Sequence, residues 1–137
     1  MKKLRFISIA LAALAAVGTS IITTSPAAAV GGCPSGKACL YSGKNFTTLR
    51  VTTASTNACY RLDEYGFKDG TVGVRSWVNN LPVNVSLWEV ADPYQWHKTQ
   101  TLGAGAFSSD TSVSQYPYWY SHSEYFCMGS AKPSGIG

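Results

Sequence analysis

Beyond its first thirty residues this chain has no long apolar run, no basic cluster and no thiol pair at metal-ligand spacing, and each absence removes a class of function. Nothing after residue 29 approaches the roughly 20 consecutive apolar residues of a membrane span. Three of the eleven Lys and Arg residues, Lys2, Lys3 and Arg5, stand at the extreme N-terminus, and past residue 29 eight basic residues face seven acidic ones. That balance, without a Lys/Arg run, removes the electrostatic basis for a nucleic-acid partner. The four cysteines contain no C-x2-C pair, and His97 and His122 lie at ligand spacing neither from each other nor from a cysteine, so no metal site and no cofactor are expected. Catalytic patterns are missing too, with no G-x-S-x-G and no H-E-x-x-H. Asp63 and Glu64 are adjacent, and an extended chain points neighbours to opposite sides. His97, between Trp96 and Lys98, and His122, between two serines, read as surface residues. The expectation is a protein without catalytic residues, not an enzyme.

What is present begins with an export signal. Lys2, Lys3 and Arg5, an apolar run from Phe6 through Val17 and then Ala27-Ala28-Ala29 follow the charged, apolar, small-residue order of a secretory signal peptide, predicted to span residues 1–29. Its apolar run is short for a membrane span, which argues against an uncleaved anchor. Residues 30–137 then form one secreted domain, expected to be monomeric and free of the membrane after cleavage. Asn45-Phe46-Thr47 and Asn84-Val85-Ser86 fit the glycosylation sequon, but a signal of bacterial type predicts that both stay bare.

Cys33, Cys39, Cys59 and Cys127 all fall in the exported part, and an even count there reads as two disulfides. Three connectivities are open. A bridge to Cys127 would close a long loop and, on the chain-entropy model, stabilise by roughly 2 to 5 kcal/mol.

Segments rich in β-branched and aromatic residues alternate with turn residues: 38–41, 47–53, 72–78, 83–90 and 112–120. Within 83–90 the alternation places Val83, Val85 and Leu87 on one face and Asn84 and Ser86 on the other. Pro34-Ser35-Gly36 and Asn79-Asn80-Leu81-Pro82 act as breakers. The fold class is therefore all-β, a compact sandwich, with an aromatic C-terminal extension from about residue 114 that includes Tyr116-Pro117-Tyr118-Trp119-Tyr120. A faint repeat pairs Leu40–Phe46 with Leu87–Tyr94, and Gly66–Val74 with Ala106–Val113, which predicts two similar β motifs packed together.

These motifs carry a family resemblance. Cys33-Pro34-Ser35-Gly36-Lys37-Ala38-Cys39-Leu40-Tyr41, then Phe46, then Cys59 with Leu62, then Tyr65-Gly66-Phe67-Lys68-Asp69 resemble the βγ-crystallin-like secreted peptidase inhibitors typified by the Streptomyces metalloproteinase inhibitor. The resemblance runs from Cys33 to about Trp88. It implies a Greek-key β-sandwich and an extracellular peptidase, of the metallo class, as partner. It does not single out an inhibitory loop.

Each motif also has a local physical reason. Tyr41 and Phe46, parted by a polar turn, can fold over one another at a hairpin tip, and Gly36, Gly66 and Gly70 suit turns of positive φ. Two departures from the family pattern stand out. Thr48 and Trp96 occupy positions where that pattern has glycine, so each hairpin must either bend differently or carry strain. Calcium-binding relatives place paired Asn/Asp ahead of Ser/Thr and Ser, whereas here the run is Lys68-Asp69-Gly70-Thr71-Val72-Gly73, and the second half offers Ser108-Ser109-Asp110-Thr111-Ser112 with one carboxylate. Calcium is therefore not expected to bind. Other functions for the same scaffold are a carbohydrate or cell-wall binding module, in which Tyr94, Trp96 and Tyr116–Tyr120 would offer rings to sugars, and an antimicrobial toxin-like protein. Ordinary packing of the C-terminal segment is the alternative role for those rings.

Overall fold

The computed structural model describes residues 29–68, 72–91, 95–115 and 117–134. Among these residues eight strands form two four-stranded sheets. In chain order they are β1 (Ala38–Tyr41), β2 (Leu49–Thr53), β3 (Cys59–Arg61), β4 (Ser76–Asn79), β5 (Val85–Ala91), β6 (Gln95–Leu102), β7 (Phe107–Ser108) and β8 (Tyr125–Met128), with one short helix, α1 (Pro117–His122), ahead of β8. One sheet has the order β2-β1-β4-β7 and the other β3-β8-β5-β6. All neighbours pair antiparallel.

Split after β4, the chain falls into two motifs of the same design. In each, the fourth strand lies beside the first and the first beside the second, the 4-1-2 order of a Greek key. The third strand crosses over: β3 edges the sheet of the second motif, and β7 edges that of the first. The sequence repeat Leu40–Phe46 with Leu87–Tyr94 falls on β1 and β5, which are equivalent strands, although Asp92, Pro93 and Tyr94 lie outside the described residues. The second repeat does not: Gly66–Val74 connects β3 to β4, whereas Ala106–Val113 contains β7 itself.

Strand alternation builds the core. Leu40 and Trp77 from one sheet meet Val85, Leu87, Leu102, Phe126 and Met128 from the other, with Leu62, Phe67, Val74 and Tyr120 closing the ends. Val85 and Leu87 are fully buried as the 83–90 pattern predicts, and Val83, just ahead of β5, packs against the same core. Fully burying a side chain such as Leu87 removes it from water for about 1.5 to 3 kcal/mol. One buried polar residue, Asn79, sits where the motifs join. Its Nδ2 donates to the carbonyls of Val83 (2.9 Å), Leu102 (2.9 Å) and Gly103 (3.2 Å), and its Oδ1 accepts from the Leu81 amide (3.1 Å). Such bonds offset the desolvation cost that an unpartnered amide would carry there.

One sequence expectation needs correction. Residues 112–120 do not form a strand: a 3-10 turn covers Thr111–Val113 and α1 follows. The reasons are local. Asp110 accepts from the Ser112 amide as an N-cap, and Pro117 takes the first helical position, where its missing N–H costs nothing. Of the C-terminal extension expected from about residue 114, β8 lies in the interior of its sheet, between β3 and β5.

Candidate functional site

The two disulfides join Cys33 to Cys39 and Cys59 to Cys127. The first closes an exposed turn at Pro34–Gly36, where Gly36 has φ 68°. That turn is held from beneath by Asn80, whose Nδ2 donates to the carbonyls of Cys33 (3.2 Å) and Pro34 (3.1 Å) and whose amide donates to that of Lys37 (2.9 Å). The second disulfide ties neighbouring strands β3 and β8.

After β1 the chain doubles back over the outer face of its own sheet. The rings of Tyr41 and Phe46 meet edge to face, centroids 5.7 Å apart, and Phe46 meets Phe107 at 6.1 Å. Asn45, Phe46 and Thr48 adopt φ of 52°, 59° and 58°. For L-residues this region costs roughly 1 to 2 kcal/mol each, so the hairpin carries strain, and Thr48 does so where the family pattern has glycine. Surrounding bonds hold it: the Ser76 hydroxyl donates to the Gly43 carbonyl (2.6 Å) and accepts from the Phe46 amide (3.0 Å), and the Asn45 amide donates to the Ser109 carbonyl (2.7 Å). The Tyr41 hydroxyl donates to the Gly31 carbonyl (2.9 Å), which lays residues 29–33 across the same face. Cys33, Cys39, Tyr41 and Val78 thereby form a second, smaller core outside the sandwich. This explains why every residue of β1 and β4 is buried.

The hairpin is clamped to the second motif. The Lys44 ammonium lies 2.9 Å from the Asp110 carboxylate and donates to the Ser112 hydroxyl at 2.9 Å. The Ser112 hydroxyl in turn donates to Asp110 (2.6 Å). That hydroxyl, then Lys44, then the Ser112 amide hold the Asp110 carboxyl down at about 2. Of the second candidate calcium run, Asp110 and Ser112 therefore bind a lysine ammonium of the chain itself. Of the first, Asp69, Gly70 and Thr71 lie outside the described residues, while Lys68 and Val72 form a backbone bridge. Among the described residues no group of three or more His, Cys, Asp and Glu could hold a metal.

The second motif treats its outer face differently. β6 begins at Gln95, and Trp96, at the position expected to bend or strain, sits in regular strand. Leu87 pairs with Phe126 on the core side, so the next pair, Trp88 with Tyr125, faces outward, as do Lys98, opposite Trp88, and Trp96, opposite Val90. Trp96 and Tyr125 meet edge to face at 4.9 Å. These rings are half-buried, and the indole N–H groups of Trp88 and Trp96 are buried without an acceptor among the described residues. This aromatic face was only partly legible: Trp96 stood among the candidate rings, whereas Trp88 and Tyr125 could be placed beside it only through the register of β5 and β8. Of the aromatic segment 116–120, Tyr120 is buried against the core, while Tyr116 and the side chains of Tyr118 and Trp119 lie outside the described residues.

Residues weighed for catalysis do not gather into one arrangement. Asp63 pairs with Arg61 on the surface, His97 is exposed on β6, and His122 ends α1. The cavity lined by Arg61, Leu62, Asp63, Phe67, Ser123 and Glu124 holds about 200 Å³, below the usual 300 to 1,000 Å³ of a small-molecule site. No helix among the described residues is long and apolar enough to cross a membrane.

The described residues thus form an all-β sandwich whose surface turns are held by side-chain bonds and whose four cysteines are all oxidised. Comparison with known families is specific: residues 26–99, more than half of the chain, match peptidase inhibitor family I36, and the chain belongs to this family. No curated protein and no solved structure matches it. A peptidase is therefore the partner implied for it.

Proposed function

We propose that this chain is exported and inhibits an extracellular peptidase of the metallo class, acting as a monomer. Family membership carries the reading. Export is supported by the charged, apolar and small-residue order of residues 1–29 and by two disulfides, which persist in oxidising compartments. The metallo class follows from the resemblance of Cys33–Tyr41 and Tyr65–Asp69 to the Streptomyces inhibitor. The physical basis is preorganisation: the bonds at Asn80, Ser76 and Lys44 fix the surface before docking, so little conformational entropy remains to be lost on binding. Of the rings considered for the sugar-binding alternative, Tyr120 is buried and Trp96 is half-buried against Tyr125 at 69°, while Tyr94, Tyr116 and the side chains of Tyr118 and Trp119 lie outside the described residues.

Titration of the mature protein against thermolysin-type, subtilisin-type and trypsin-type peptidases tests this. Stoichiometric inhibition of the first alone is expected. Inhibition of only serine peptidases would remove the metallo class, and saturable retention on chitin or peptidoglycan without inhibition of any peptidase would overturn the reading.

A further inference from the structure

The four sheet edges are unequal. β2 has five residues, β3 three and β7 two, whereas β6 has eight. β6 lies at the end of its sheet, so its backbone pairs with β5 on one side, and Gln95, His97, Lys98 and Thr101 are exposed. Long edges are hazards that proteins shorten or cover, because the free side of the backbone is a template for another strand. α1 packs near β6, and Ser123, just past it, makes a hydroxyl contact of 2.8 Å with Thr99.

The charges on this edge discriminate among partners. β6 carries Lys98 and no acid. In an antiparallel pairing with a second copy centred on residue 98, Lys98 would face Lys98, and like charges facing across strands are unfavourable. A strand bearing a carboxylate meets the opposite case. Polypeptide segments commonly dock by adding to such an edge, with main-chain bonds supplying affinity and side chains supplying choice.

Resting on the inhibitor reading above, we infer that β6 is the segment added to the target: Gln95–Thr101 pairs backbone to backbone with an extended stretch of the peptidase cleft, where an acidic side chain meets Lys98. The half-buried face of Trp88, Trp96 and Tyr125 beside it is covered in the complex.

Amide hydrogen exchange, read with the full mature protein alone and bound to whichever peptidase it inhibits, tests the pairing. Exchange of the amides in 95–101 is expected to slow by roughly tenfold or more, with β2 (Leu49–Thr53) unchanged. Lys98→Glu is expected to raise the inhibition constant by about tenfold, while Thr52→Glu on the exposed edge of β2 leaves it within about twofold. Thermal melts accompany both variants, and Lys98→Gln serves if the reversal disturbs folding. Tight inhibition with unaltered exchange along β6 would overturn the inference and leave the inhibitor reading standing. Slowed exchange with unaltered affinity of the Lys98 variants would remove the acidic partner group. Absence of inhibition of any peptidase would overturn both readings.

Discussion

In the first motif the residues leaving β1 double back over the sheet, whereas the outer face of the second carries rings from β5, β6 and β8. The two motifs share one strand order, so the difference lies in what covers the outer face. Over the first sheet lie Phe46, the segment 29–33 and the Cys33–Cys39 turn, every part of it tied down by Ser76, Tyr41 or Asn80. Over the second lie half-exposed Trp88, Trp96 and Tyr125, two of whose indole N–H groups lack an acceptor among the described residues. An unmade bond of that kind costs about 1 to 3 kcal/mol. The first motif is covered by segments of its own chain, whereas the second carries half-buried rings on its outer face.

The comparison can be broken first at the disulfides. Cys59–Cys127 spans 68 residues and Cys33–Cys39 spans 6. Chain entropy makes replacing the long bridge by two serines cost about 4 kcal/mol and the short one about 2. Denaturant unfolding of the two paired variants should show that gap; equal losses would mean that the short turn stabilises by packing rather than by loop closure. Next in size is Asn79→Ala at the junction, expected to cost about 3 kcal/mol because buried carbonyls and the Leu81 amide lose their partner, against about 1 for the more exposed Asn80→Ala. A smaller effect of opposite sign sharpens the hairpin contrast. Thr48→Gly relieves a positive φ and should stabilise by up to about 1 kcal/mol, whereas Trp96→Gly, in regular strand, should cost about 2. If both changes destabilised, the strain assigned to Thr48 would be absent.

The smallest effect is electrostatic. Asp110 has its carboxyl lowered to about 2 from an ordinary 3.8. A carboxyl depressed by folding contributes stability that is complete above its unfolded pKa and is lost as pH falls through the folded one. The melting difference between wild type and Asp110→Asn should therefore be constant above about pH 4 and close as pH falls toward 2. A difference that grew on acidification would contradict the clamp.

How far the sequence revealed this varies by element. β1 was legible because Ala38–Tyr41 is short, apolar and bounded by turns, and β5 because its alternation matches a half-buried strand. β6 escaped because an edge strand with one pairing side can be polar at most positions, and Gln95–Leu102 is. The 112–120 error came from weighing aromatic content above two local stop-and-start signals, the Asp110 cap and Pro117. The Lys44 clamp had no local signal at all, since Lys44 and Ser112 stand 68 positions apart. The Tyr41–Phe46 contact was legible, because a five-residue spacing across a polar turn brings two rings together.

The Cys59–Cys127 bridge has a consequence for a protein that meets peptidases. All of β4, β5, β6 and β7 lies between its two ends. A single cut anywhere in that span, β6 included, opens the backbone and yields two chains that remain one covalent molecule. For a cut between β4 and β7 strand exchange adds a second hold, because β3 pairs with β8 and β7 with β4 across it. The cut molecule is then a clasp with one link filed through, its two pieces still joined at Cys59–Cys127.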